Sequence, residues 1–446
     1  MARKTKKTIR KATKKTVARK KVAVSKKKKS FRTFAIAIVC IAAWIVLVIV
    51  AVVFSVLKID FFAIKNESIP VMEISLENVT LDEVHKNGKD MKYDGNTVKV
   101  DGVEYKDVEF KGRGNFSWAA DKKSYRLKLD SKVSFLNMKK TKKWALIANS
   151  VDNSLLRNDI AYYLTDMVVG DYPFRGKHIN LRINGEDLGL YYLIQTMDIG
   201  KNAVDLHDSM GVLVELDNVY CEEEDKWYVT SDDNCLTLKA AVVDDNADVA
   251  MNEFVKDFDA LEESIKKKDY KKVEELADVK SFAEYFVISE ITANPDAYVT
   301  SWFMYKDGTK DKIHAGLTWD FDAAFGNREW GKDMCVDEFY LPTVEMIHMG
   351  DGSLRSGGVK TSQMLYQFAE GSYFKRVVGE VYRERLKGRI DEIMDYIDAK
   401  EKEISIAAER DAKIWKKGNH KDDIDYLKQW IRERIKYFEK KYANYI

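Results

Sequence analysis

The sequence predicts an α+β protein, with a strand-rich first half and a helix-rich second half, preceded by one transmembrane helix. Three observations predict it. Between residues 70 and 245 short runs of aromatic and β-branched residues alternate with polar ones and are separated by Asn, Gly and Lys turns. From about Asn246 onward apolar residues recur at helical spacing. Phe34 to Leu57 carries no charged residue over 24 positions, more than the ~20 a helix needs to cross hydrocarbon.

The net charge of +2 over 446 residues conceals a division: residues 1–32 hold 16 Lys and Arg and no acid, leaving 58 basic against 72 acidic residues beyond them. A remainder of net −14 argues against a general nucleic-acid binder, because phosphate neutralisation requires a basic face. With 46% hydrophobic and 12% aromatic residues the chain builds a sizeable core and is not disordered. No small-residue cleavage site follows the apolar stretch, so residues 34–57 are expected to be a retained signal anchor. Basic charge before it places residues 1–33 in the cytoplasm and the domain of residues 70–446 outside, as a single-pass membrane protein. The basic arm either touches anionic lipid or is a solvated tail. Cys40 falls in the apolar stretch; Cys221, Cys235 and Cys335 are an odd number without close metal-ligand spacing, of which Cys221 and Cys235 either pair across a loop or are free thiols.

In chain order, Ile69 to Leu81 and Asn96 to Phe110 read as strands. Lys111-Gly112-Arg113-Gly114-Asn115 is glycine-rich and basic, and Lys122 to Leu129 follows as a strand. Along it Tyr125, Leu127 and Leu129 point one way while Arg126 and Lys128 point the other. A glycine turn bringing backbone N–H groups to an anion, with cations on the next strand, suits a phosphate site, although basic residues on a strand face are often merely solvated. Lys143 to Asn149 is a buried strand, a helix begins after Val151-Asp152-Asn153-Ser154, and Ile179–Ile183 with Leu188–Gln195 forms a hairpin about Asn184-Gly185. Gly211 to Leu216 is a further strand. Val249–Lys267, Tyr270–Leu276 and Ser281–Thr292 are helices, and helices resume from Thr361 to about Lys417 and from Asp422 to the end. Asn327 to Gly358, irregular and rich in Gly, Met and aromatic residues, reads as a lid or substrate loop.

The stretch from Asn294 to Gly326 reads as a carboxylate, a hairpin and two more carboxylates. Tyr298–Lys306 and Lys312–Thr318 flank Asp307-Gly308, a strong turn signal. Folding the hairpin brings Asp296, before the first strand, and Asp320, after the second, to the same open end. Such acids serve as turn formers and caps in many hairpins. Phosphoryl transfer also needs them so placed: one orients the attacking hydroxyl and another holds the magnesium that bridges the nucleotide phosphates.

Together these blocks resemble the CotH family, the spore-coat atypical protein kinases. The resemblance rests on Arg113-Gly114-Asn115 with Ser117; Lys123, Tyr125, Leu127 and Lys128; Lys143, Trp144, Ala148 and Asn149; Asp152, Ser154, Arg157 and Asn158; Asn184-Gly185 with Gly189 and Tyr191; Asn294, Asp296 and Tyr305; and Trp319-Asp320-Phe321-Asp322 with Phe325-Gly326. It implies a bilobal kinase-like fold, with lobes of about residues 70–245 and 246–446, ATP, and transfer of its γ-phosphoryl group to protein Ser or Thr. By resemblance Asp296 is the catalytic acid, Asp320 a metal ligand and Asp322 a second candidate ligand. Lys128, with Arg126, Lys123 and Arg113, is expected at the nucleotide phosphates. Hard oxygen ligands suit Mg2+ or Mn2+.

Two positions depart from the kinase pattern: Ser301 stands where a metal-binding Asn is common, and Gln195 where an acid is expected, with Glu215 as a substitute. The readings are therefore a membrane-anchored kinase acting on a surface or spore-coat protein, or a catalytically inactive kinase-like binding and assembly protein. A hydrolase fits worst, since no Gly-x-Ser-x-Gly stretch occurs.

Overall fold

Alternating apolar residues along seven short strands dictate a sheet with one dry face, and here that sheet closes on itself. A computed structural model describes residues 69–327, 362 and 364–446. In chain order the first half runs β1 (Val71–Ser75), α1 (Leu81–Asn87), β2 (Lys92–Val100), β3 (Val103–Arg113), α2 (Phe116–Ala119), β4 (Ser124–Val133), β5 (Thr141–Ile147), α3 (Arg157–Val169), β6 (Lys177–Ile183) and β7 (Glu186–Gln195). The strands form a closed barrel in the order β1-β2-β3-β4-β5-β7-β6. Closure comes from a parallel pairing of β1 with β6, Val71 opposite Asn180 and Ile74 opposite Ile183. Phe110, Leu127, Trp144, Leu181 and Tyr191 fill the interior, each fully buried. The outward face of β5 and β7 is also apolar: Ala145, Ile147, Leu190, Tyr192 and Ile194 join a second core with the helices. Lys111 and Arg113 of β3 and Arg126 of β4 lie in the same phase and stay outside the barrel, Lys111 being opposite Arg126.

The second half contains β8 (Val212–Leu216), β9 (Trp227–Val229), β10 (Cys235–Ala241), α4 (Ala247–Lys266), α5 (Tyr270–Leu276), α6 (Val279–Thr292), β11 (Trp302–Lys306), β12 (His314–Leu317), α7 (Met364–Glu370), α8 (Ser372–Arg385), α9 (Ile390–Trp415) and α10 (His420–Lys441). Its sheet has the order β12-β11-β8-β10-β9. The β11–β12 hairpin leans on β8 through Trp302 opposite Leu216 and Lys306 opposite Val212. Buried α6 runs beneath it and delivers the chain to Asn294, ending at Ala293 in the left-handed region (φ 44°). A disulfide joins Cys221 to Cys235, so the sequence alternative of pairing is the one adopted.

The α+β reading holds, with strands concentrated in the first half and helices in the second, and several elements differ from expectation. Residues 69–81 are not one strand: Thr80 and Glu83 form a capping box, each side chain bonded to the other's backbone N–H, and start α1. Residues 96–110 are split by a turn at Asp101 and Gly102, giving β2 and β3. Residues 298–301 are a turn, with Val299 N and Thr300 N both donating to Asp296 O. The single-pass membrane localisation is corrected: no helix among the described residues is long and apolar enough to cross a membrane. The stretch 34–57 behind that expectation, the basic arm 1–33 and the loop positions 328–358 lie outside the described residues.

Candidate functional site

The hairpin places its acids as a local fold must. Asp296, Asp320 and Asp322 line one cleft of about 530 Å3, with Ser301, Thr300 and Phe303 beside them. Asp320 has φ +61°, in the left-handed region that residues other than Gly, Asn and Asp rarely occupy. Two asparagines hold that turn: Asn294 Nδ2 donates to Asp320 O at 2.9 Å, and Phe321 N donates to Asn158 Oδ1 at 3.0 Å. Asn158 Nδ2 in turn donates to Asp322 Oδ1 at 2.6 Å. Arg157 Nε and Asn327 Nδ2 bind the carbonyls of Ala324 and Asp322, so the start of α3 grips the whole loop.

Burial is the main cause that raises the proton affinity of all three carboxylates, and the charge of one other acid of the set adds to each. Burial pushes Asp296 up to about 7, with the charges of Asp322 and Asp217 adding to it. Asp320 rises to about 6 through burial and Asp296, opposed by Arg113. Asp322 rises to about 7 through burial and Asp320, opposed by its bond from Asn158. Asp217, whose Oδ1 accepts from Val219 N and Tyr220 N, is a fourth acid on the cleft wall.

The facing wall is cationic. Lys111, Arg113 and Arg126 from β3 and β4 and Lys143 from β5 line it. Arg113 lies over the Trp319 ring at 5.2 Å, which aims its charge toward the neighbouring Asp320. Arg126 Nε is buried without a hydrogen-bond partner among the described residues, its nearest acid being Glu109 at 3.5 Å. Burial and the Arg126 charge lower the proton affinity of Lys111. Between them the turn is tight: a Cβ on Gly112 would sit 2.6 Å from Lys89 Cα, and Gly114 has φ +89°.

Of the residues singled out in the sequence, Asp296, Asp320, Asp322, Arg113 and Arg126 share the cleft. Lys123 and Lys128 do not line it. Lys123 Nζ donates to Trp118 O at 2.7 Å and Ala120 O at 2.8 Å, so its charge closes the α2 turn instead. Lys128 is exposed one strand repeat beyond Arg126, about 7 Å further from the glycine turn. Gln195 Nε2 donates to Pro173 O at 3.1 Å and Asn202 O at 2.9 Å, leaving Thr196 and Met197 to line the cleft. Glu215 does reach it, paired with Lys239 at 2.8 Å; burial raises it to about 7 against the pull of that lysine. Sequence reasoning missed Lys111, Lys143 and Lys239 as cleft cations. Lys111 was legible from its period-two phase with Arg113, whereas Lys239 belongs to β10, which no pattern announced.

Whether this wall suits a divalent cation is a question of donors. Among the described residues no group of three or more His, Cys, Asp or Glu side chains is arranged to hold a metal by itself. Mg2+ asks for less: one or two carboxylates, with phosphate and water completing the shell. Asp320 and Asp322, hard, cleft-facing and without an ion-pair partner among the described residues, fit that demand.

Fold and cleft thus define a class: an α+β protein in which an acidic hairpin end faces a cationic barrel edge. A family model described as CotH kinase protein matches residues 110–438, most of the chain, and the chain belongs to the CotH kinase family. The match includes every residue of both cleft walls named above except Lys89. No curated protein matches the chain.

Proposed function

We propose that this protein is an atypical protein serine/threonine kinase of bilobal, kinase-like architecture, transferring the γ-phosphoryl group of ATP to a surface or spore-coat protein. One observation carries the reading: three cleft carboxylates without ion-pair partners among the described residues oppose four cations across a space of about 530 Å3, the size of a nucleotide site. Lys143 already meets Asp198 at 3.0 Å, but the three acids have no ion-pair partner, and Arg126 Nε no acceptor, among the described residues. A polyphosphate with a divalent cation satisfies both.

In this reading Arg113, Arg126, Lys111 and Lys143 neutralise the phosphates, and Asp320 and Asp322 hold the cation. Bound Mg2+ or Mn2+ would supply charge stabilisation at the β- and γ-phosphate oxygens. Asp296 orients the acceptor Ser or Thr hydroxyl and takes its proton as the hydroxyl oxygen bonds to the γ-phosphorus. The bond from that phosphorus to the β–γ bridging oxygen breaks, and ADP leaves with the electron pair. A carboxylate raised to about 7 is matched to proton acceptance near neutral pH. Gln195 is no obstacle, because its side chain serves the barrel end, and Glu215 with Lys239 supplies a charged pair in the cleft.

The test is γ-labelled ATP with Mg2+ or Mn2+ and the full chain, beside Asp296→Ala and Asp320→Ala, scored for autophosphorylation and transfer to added protein. Label in the parent that both substitutions abolish supports the kinase. Absence of label together with absence of any nucleotide-induced thermal shift sinks it and leaves a kinase-like binding and assembly protein.

A further inference from the structure

We infer that Asn158 and Asn294 are positioning residues that set the carboxylates of Asp322 and Asp320 for a divalent cation. This rests on the kinase reading of the cleft. Both asparagines are buried, Asn158 at 0% and Asn294 at 2% exposure, and neither lines the cleft, so they act through the acids.

Asn158 uses both ends of its amide. Its Oδ1 accepts from Phe321 N at 3.0 Å, while its Nδ2 donates to Asp322 Oδ1 at 2.6 Å and to Asn149 Oδ1 at 3.0 Å. The backbone donor fixes the orientation: the oxygen must face Phe321, so the NH2 group faces the carboxylate. One Asp322 oxygen is thereby engaged, and the carboxyl is held on the cleft wall beside Asp320. Asn294 works on the neighbouring acids. Its Nδ2 donates to Asp320 O at 2.9 Å, and its Oδ1 accepts from Asp296 N at 3.3 Å, so one side chain bridges the Asp296 turn and the left-handed turn at Asp320.

The pair therefore ties α3, the Asp296 turn and the Asp320–Asp322 turn into one frame. A left-handed non-glycine turn persists only where surrounding structure over-determines it. Here the constraint is applied to both ends of the peptide group that follows Asp320, at the Asp320 carbonyl and at the Phe321 N–H. Neutral amides suit the task, since they donate to an acid without neutralising it, whereas a lysine there would compete with the cation for the same charge.

Asn158→Asp is the sharp test. It keeps shape and the acceptor for Phe321 N, but it replaces the donor to Asp322 with a like charge. Mn2+ binding to the full chain, followed by electron paramagnetic resonance with a non-hydrolysable ATP analogue present, should weaken about 10- to 100-fold, the range for groups that orient metal ligands. kcat should fall while the metal-free affinity for the analogue stays within twofold. Asn294→Asp, which loses only the donor to Asp320 O, is the second variant should the first fail to fold, and should weaken Mn2+ by a smaller factor. Lower thermal stability with unchanged Mn2+ affinity in both variants would overturn the positioning role and leave the kinase reading intact. A parent that binds no Mn2+ with the analogue overturns both.

Discussion

Two sets of buried charge lie within one loop's reach of each other and are built on opposite plans. Beside the cleft, Arg157 contacts Asp152, both fully buried, and Asp152 also accepts from Ser154 N, Ser154 Oγ and Arg157 N. Lys122 meets Asp411 at 2.6 Å, and Arg434 meets Glu290 at 3.2 Å, all nearly inaccessible. In the cleft Asp296, Asp320 and Asp322 have no ion-pair partner among the described residues, and burial with a neighbouring acid's charge raises the proton affinity of each. Paired charges fix the frame, while the unpaired acids store an unmet demand for cations. A fold that pairs one set of charges and leaves the other wanting has placed its unfavourable electrostatics where a ligand can relieve them.

The comparison breaks most sharply at Asp296. Asn there keeps the shape and removes the charge, so phosphoryl transfer should fall by up to ~10⁴-fold, the span of a lost general base. Stability of the nucleotide-free chain at pH 8 should rise, by about 1 kcal/mol, because one of three mutually repelling acids is gone. Single-turnover kinetics and urea denaturation read the two effects. Loss of both activity and stability would mean that Asp296 belongs to the frame.

At Asp411 the opposite sign is expected. Asp411→Ala strands Lys122 in the interior, where its other acceptor among the described residues is Leu190 O at 2.5 Å, and should cost about 3–5 kcal/mol in urea denaturation. The double substitution Lys122→Met with Asp411→Leu removes both charges and should recover most of that, ending within about 1–2 kcal/mol of the parent. If the double substitution is as damaging as the single, the pair contributes more than mutual neutralisation.

These two regions were unequally legible in the sequence. The cleft acids could be read because a hairpin is local: its loop proved to be the seven residues 307–313 rather than a two-residue Asp307-Gly308 turn, yet antiparallel pairing of β11 with β12 still decides which ends meet. Period two correctly put Arg126 and Lys128 on one face, but which of them reaches the cleft depends on where β4 sits against the glycine turn, a tertiary fact. The frame pairs were illegible for a different reason. Lys122 and Asp411 are 289 residues apart, and Arg434 and Glu290 144 apart, so no local pattern couples them. The barrel closed for the same kind of reason, through a β1–β6 pairing that joins Val71 to Asn180. Nothing in a single strand's alternation says which distant strand completes the ring. The capping box at Thr80 and the Asp101-Gly102 turn were, by contrast, local signals in plain view that the strand reading passed over.

The smallest expected effect is also the most direct measure of the unmet demand. Asp296 and Asp322 sit near 7 and Asp320 near 6 in the folded chain, against about 3.8 when unfolded. Between those limits the folded state holds protons that the unfolded state has released, so stability must fall as pH rises from about 4 to about 7. Glu215, Glu262 and Glu284, also raised to about 7, tilt the same way, so the parent's slope alone assigns nothing. The difference between parent and Asp296→Asn isolates the cleft: the variant should show a shallower fall over that window, and the pH-dependent difference between the two curves should level off below about pH 3, where the parent's acid is protonated in both states. Adding ATP analogue with Mg2+ should flatten the parent's curve, since a bound cation favours the ionised acids that the empty cleft penalises. A parent whose slope is indifferent both to the substitution and to the ligand would place these acids among the satisfied charges of the frame.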